Sequence, residues 1–133
     1  MVFFQPLPVM KKILYIEDDI SLRQLVRFIL DKREDLQMIE AETGSQGLQM
    51  AIEEQPDIIL LDISLSDLNG YEVFSRLKKN DSVCKIPVIA VSGDSMPEDI
   101  EKGLQAGFSA YLTKPINIKD FYNLLDKTLY FGE

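Results

Sequence analysis

The chain has 133 residues, 46% hydrophobic and 27% charged, the make-up of one soluble globular domain long enough to fold without staples. It carries a formal net charge of −8, no histidine and one cysteine. That balance disfavours nucleic-acid binding by bulk attraction. It also excludes Ser-His-Asp catalysis, Cys-His catalysis and His-ligated zinc within the chain.

Cys84 alone can form neither an internal disulfide nor a thiolate metal site, and reads as a small packing or surface residue in a reducing compartment. No apolar run approaches the roughly 18 residues of a membrane span. Met1–Val9 (MVFFQPLPV) contains two prolines and no basic leader, so it makes a poor signal peptide. The expectation is a cytoplasmic protein with an N-terminal extension over residues 1–10 and one domain over residues 11–133.

Strand and helix patterns alternate five times. Lys12–Ile16 (KILYI) is a nearly continuous apolar run, followed by a helical face of Leu22, Leu25, Val26 and Ile29. Gln37–Ala41 alternates, and Thr43-x-x-Gln46 has capping-box form. Ile58–Leu61 (IILL) is continuous, with Asn69 placed to cap the next helix. Val88–Val91 (VIAV) is followed by Ser95-x-x-Glu98, a second capping-box pattern, with Pro97 in the first turn and Gly107 as the left-handed stop. Ala110–Leu112 (AYL) leads to a last helix with Ile118, Phe121, Leu125 and Thr128 on one face. Apolar strands alternating with helices predict an α/β fold, an open, doubly wound sheet of parallel strands joined by right-handed crossovers.

Ligands of such sheets bind beyond the carboxyl ends of the strands. Glu17, Asp18 and Asp19 follow the first strand, Asp62 the third, Ser92 the fourth, and Lys114 with Pro115 the fifth. Singly, each has a plain structural reading: a helix cap for the acidic triplet, a turn residue for Asp62, a loop serine and a surface lysine. Asp19 reads as such a cap. Together they form a site. Carboxylates from Glu17, Asp18 and Asp62 repel one another unless a hard dication such as Mg²⁺ joins them, and Lys114 adds a fixed positive charge. A carboxylate beside cations can accept a phosphoryl group, and the Ser92 hydroxyl can hydrogen-bond a phosphoryl oxygen.

The segments ILYIEDD, IILLDISLSDLNGYEV, PVIAVSGDS and AYLTKP, at their mutual spacings, resemble the receiver domain of response regulators in two-component signalling, over roughly Lys11 to Leu129. The resemblance implies a flavodoxin-like (βα)5 sheet in the order 2-1-3-4-5, with Asp62 as phospho-acceptor. It implies Mg²⁺, with Mn²⁺ as a substitute, held by Glu17, Asp18, Asp62 and the backbone carbonyl of Ser64. Ser92 and Lys114 would contact the phosphoryl group, Ser92 and Tyr111 would form the switch, and Pro115 would follow a cis peptide bond. From the residues alone, Tyr111 is a half-buried strand aromatic.

The implied partners are a histidine kinase or histidine phosphotransfer protein and a downstream protein effector. No direct nucleic-acid or membrane partner is implied, and the expected state is a monomer or a phosphorylation-dependent dimer. The chain would catalyse only its own phosphorylation and dephosphorylation, with output through the surface around the fourth helix, fifth strand and fifth helix. No effector domain is apparent in the chain. The run MPEDIEKGLQAGFSAYLTKPI is similar to receivers at the ends of hybrid sensor kinases. Ser66 stands where many members have proline, and Gly93 where alanine is common.

Two rivals differ in class. A haloacid-dehalogenase-type phosphatase wants its nucleophilic Asp after the first strand, where this chain has Glu17, and would turn over p-nitrophenyl phosphate. A receiver-like module that no longer takes phosphate would lack an acid, the serine or the lysine, and none is missing.

Overall fold

Every residue of Ile58–Asp62 and Val88–Ser92 is buried, as central strands covered on both faces require. They are β3 and β4 of a computed structural model that describes residues 10–131. The other strands are β1 (Lys11–Ile16), β2 (Leu36–Ala41) and β5 (Ala110–Thr113). The helices are α1 (Ile20–Asp31), α2 (Gly44–Glu54), α3 (Gly70–Lys79), α4 (Pro97–Ala106) and α5 (Ile118–Tyr130). All strand pairs are parallel, in the order β2-β1-β3-β4-β5. The expected strands run one residue further at one end. Asp62 and Ser92 close β3 and β4 instead of following them.

Alternation along the strands divides the core in two. Leu14, Ile16, Ile59, Leu61 and Ala90 meet Ala51 of α2 and Val73, Phe74 and Leu77 of α3 on one face. Ile13, Tyr15, Ile58, Leu60 and Ile89 meet Val26, Ile29 and Leu30 of α1 and Phe121 and Leu125 of α5 on the other. Leu25 and Ile118, expected on buried faces, are exposed, and Arg23 is buried in α1. Its guanidinium goes inside because it finds partners there: the Glu17 carbonyl at 2.6 Å and the Glu40 carboxylate at 3.0 Å.

Caps set the helix starts. Asp19 accepts from the N–H groups of Ser21 and Leu22, Thr43 from Gln46, and Asn69 from Tyr71. The Gln46 side chain reaches the N–H of Glu42, one residue earlier than a closed capping box demands. The expected Ser95–Glu98 box does not form. Pro97 disfavours helical backbone at the residue before it, so Met96 is extended and becomes the cap, with no side-chain bond. Gly107 ends α4 at φ 112°, in the left-handed region.

The expected N-terminal extension lies outside the described residues except for Met10. No helix among the described residues is long and apolar enough to cross a membrane.

Gly70 opens α3 against the end of β3. A Cβ there would stand 2.6 Å from the Ile63 Cα and 2.7 Å from the Asp62 carbonyl oxygen, both backbone atoms that cannot step aside. Gly70→Ala is therefore expected to destabilise the fold by about 1–3 kcal/mol, read from urea denaturation. Wild-type stability in the variant would show that the turn after Asp62 has slack.

Candidate functional site at the carboxyl edge of the sheet

β1 lies between β2 and β3, so the chain reverses its direction of winding there and leaves a crevice beyond the strand ends. Glu17 follows β1 directly, and its N–H still bonds the Ala41 carbonyl of β2 at 3.0 Å. Asp62 is the last residue of β3. Lys114 follows β5, its N–H bonded to the Ser92 carbonyl at 2.8 Å, and the Lys114–Pro115 peptide is cis. The backbone ladder thus sets where each charged side chain starts.

Glu17, Asp18 and Asp62 each place a carboxylate oxygen within 4.8 Å of the others. Glu17 and Asp62 are buried, whereas Asp18 is exposed. The Lys114 ammonium reaches Glu17 Oε1 at 3.2 Å and Asp62 Oδ1 at 3.4 Å. Asp62 Oδ1 also accepts from the Ser64 N–H at 3.0 Å. Glu17 accepts from the Tyr15 hydroxyl at 3.0 Å and the Asp19 N–H at 3.2 Å.

The charge state follows from these neighbours. Burial, then hydrogen bonding to and repulsion from Asp62, push Glu17 from its ordinary 4.5 up to about 7. Burial works against the Lys114 ammonium, but Asp62 and Glu17 outweigh it and hold its pKa above the ordinary lysine range. Asp18 is held below the usual carboxylate range, chiefly by the Ser66 hydroxyl. Three carboxylates against one ammonium leave an all-oxygen cluster with excess negative charge, which suits a hard dication.

Ser92 and Tyr111 stand beside this cluster. The Ser92 hydroxyl accepts from the Asp94 N–H at 3.0 Å. The Tyr111 hydroxyl donates to the Asp94 carbonyl at 3.0 Å. A Cβ on Gly103 of α4 would stand only 2.6 Å from the Tyr111 ring, so the glycine lets the ring lie against the helix. The two residues meet through one residue, Asp94, not directly.

Three features escaped the sequence reading. Ser66 gives both its N–H and its hydroxyl to Asp18 Oδ2. Asp67 takes the N–H groups of Gly44 and Ser45 and ties the loop after β3 to the start of α2. Arg23 fixes the carbonyl of Glu17. Each depends on a tertiary partner more than 5 residues away in sequence, which neither periodicity nor capping rules reveal.

An acidic crevice faced by one lysine, on a sheet wound in this order, marks a class of signalling domains that accept phosphoryl groups. The family model for the response regulator receiver domain matches residues 13–126, and the chain belongs to that family. It is 34% identical over 123 residues to the polar-differentiation response regulator DivK of Brucella anthropi, covering 92% of this chain and 98% of that one.

Among solved structures, it resembles the chemotaxis protein CheY4 of Vibrio cholerae at a TM-score of 0.83 and 25% identity, over 91% of this chain and 100% of that one. It also resembles the receiver domain of a sensor histidine kinase of Pseudomonas aeruginosa, whose structure has magnesium coordinated in the active-site cleft. That match has a TM-score of 0.80 and 25% identity, over 90% of this chain and 97% of that one. The protein is a phosphoryl-accepting signalling domain of the receiver kind.

The raised Glu17 pKa has a consequence for the metal-free protein. Between about 4.5 and about 7 the folded chain holds a proton on Glu17 that the unfolded chain has lost. Stability contributed at this site therefore falls as pH rises through that window. Thermal unfolding in chelator, near pH 5 and near pH 8, should show the decline in the wild type and a flatter profile in Glu17→Gln. An equal slope in both would place the proton elsewhere.

Proposed function

We propose that Asp62 accepts a phosphoryl group from a phosphohistidine on a partner histidine kinase or phosphotransfer protein, and that the chain is a switch catalysing only its own phosphorylation and dephosphorylation. The observation that carries this is the Lys114 ammonium lying 3.4 Å from Asp62 Oδ1 and 3.2 Å from Glu17 Oε1 within the acidic cluster. The partner must supply the histidine because this chain has none.

In the transfer, an Asp62 carboxylate oxygen forms a bond to phosphorus as the bond from phosphorus to the imidazole nitrogen breaks. Glu17, Asp18, Asp62 and the Ser64 carbonyl are the oxygen ligands for Mg²⁺ or Mn²⁺. That ion, when bound, offsets charge on the phosphoryl oxygens and lets the carboxylates sit together. Lys114 turns from the carboxylates toward the arriving phosphoryl oxygens and keeps its charge throughout. The Ser92 hydroxyl donates to one of those oxygens.

Donation by Ser92 shifts Asp94, whose N–H it now holds, and Tyr111 follows because its hydroxyl is bonded to the carbonyl of the same residue. The output surface is α4, β5 and α5. Of α4's residues only Gly103 is fully buried, so the helix has little to hold it against such a shift. The downstream partner is a protein, and the setting is cytoplasmic.

Incubation with acetyl phosphate and Mg²⁺, followed by intact-mass and peptide mapping, tests the reading. One phosphoryl group on Asp62 is expected, lost in Asp62→Asn and without the metal. Lys114→Ala should keep metal binding, read by Mg²⁺-dependent shifts of amide resonances, but lose most of the conformational response. Absence of any adduct in the wild type, or an adduct on another residue, would refute the assignment.

A further inference from the structure

A second surface feature lies away from the acidic crevice, between α3 and the end of α4. It is a groove of about 320 Å³ lined by Tyr71, Phe74, Ser75, Lys78, Lys79 and Ala106. That volume is at the small end of ligand-sized clefts, which run roughly 300–1,000 Å³, so it suits a side chain better than a large cofactor. Its floor is rigid and aromatic. Phe74 stacks on Phe108 at 4.1 Å, and Tyr71 meets Phe108 edge-on at 5.6 Å.

The rim is basic. The Lys78 ammonium lies 5.3 Å from the centre of the Phe74 ring and that of Lys102 4.7 Å from the centre of the Tyr71 ring. Lys79 completes the set. Among the described residues, none of these three lysines has a carboxylate within ion-pair distance. Lys11, Lys32, Lys85 and Lys119 also lack one, so what distinguishes Lys78, Lys79 and Lys102 is that they gather around one aromatic groove. Arg23, Arg27, Arg33, Arg76, Lys12 and Lys114 all have such partners. Lys78 gives one proton to the Cys84 carbonyl at 3.0 Å and keeps two for a ligand.

We propose that this groove docks a short acidic segment of a partner protein, with one apolar side chain on the aromatic floor and flanking carboxylates on Lys78, Lys79 and Lys102. The three lysines supply the attraction, and the net negative charge elsewhere repels acidic chains that approach the wrong face. The inference does not rest on the phospho-acceptor assignment, because the groove shares no residue with the acidic crevice.

Amide NMR titration of the full chain tests it, using a synthetic peptide of aspartates and glutamates around one central leucine. Saturable shifts are expected at Ser75, Lys79 and Ala106. Each of Lys78→Gln and Lys79→Gln should weaken binding roughly two- to five-fold, as loss of one exposed ion pair does. Ala106→Trp, an exposed position, should fill the groove and abolish binding, and Lys119→Gln on α5 should leave it unchanged. The proposal fails if these residues do not shift, or if a lysine-flanked peptide or inorganic phosphate shifts them equally. It also fails if they shift with protein concentration alone, which would make a second copy the occupant.

Discussion

The rest of the site depends on one electrostatic arrangement: an ammonium held between two buried carboxylates. Glu17 and Asp62 are nearly sealed from water, and two unpartnered carboxylates in such a place would strongly disfavour their ionised forms. Lys114 offsets that penalty from across the crevice. It can do so because β1, β3 and β5 end within two residues of one level. The parallel register carries Ile16 to Leu61, Asp62 to Val91, and Ser92 to Thr113, so the three charged residues emerge together. Three separate strands are thus brought into one electrostatic unit by backbone hydrogen bonding. The unit remains short of positive charge, and that deficit is what makes it receptive to a dication.

At the same edge, one loop residue joins Ser92 to Tyr111. Asp94 sits in the loop after β4, with its N–H held by Ser92 and its carbonyl held by Tyr111. These are two successive peptide groups on either side of the Asp94 Cα, so one residue carries a hydrogen bond to each of the two side chains. Tyr111 in turn lies against Gly103 with almost no spare space, whereas most of α4 faces solvent. The ring is thus tightly packed against a helix that has few buried residues of its own to hold it. α3 and α5, with several fully buried side chains each, offer no comparable freedom.

How much of this was legible in the sequence depends on the range of the interaction. The alternation of strands and helices, the helix caps at Asp19, Thr43 and Asn69, and the stop at Gly107 follow local rules, and the residues display them, whereas the sheet order comes from the family resemblance. The gathering of Glu17, Asp18, Asp62 and Lys114 was legible because strand ends in a doubly wound sheet share one edge. Two local readings failed, one to a stronger local rule and one to a tertiary contact. Pro97 moved the start of α4 past Ser95, and Arg23 displaced Leu25 from the inside of α1 because it could bond the Glu17 carbonyl and Glu40. The Asp67 and Ser66 contacts join the loop after β3 to other elements, and no spacing in the chain marks them.

Ser66 shows what such a contact adds. Proline at this position would stiffen the loop through its own ring but could donate no hydrogen bond. Serine instead gives two donors to one oxygen of Asp18 and lowers the pKa of that carboxylate. The exposed acid of the cluster is thereby kept charged while its buried neighbour Glu17 is pushed toward the protonated form. The two adjacent acids are thus made unlike by their surroundings. Asp18 offers a standing negative charge that can meet a cation from solvent, and Glu17 gives up its proton more readily when positive charge arrives. Ser66 lies in the loop that leaves β3 directly after Asp62, so the residue that conditions Asp18 is tied closely in sequence to the third acid of the cluster.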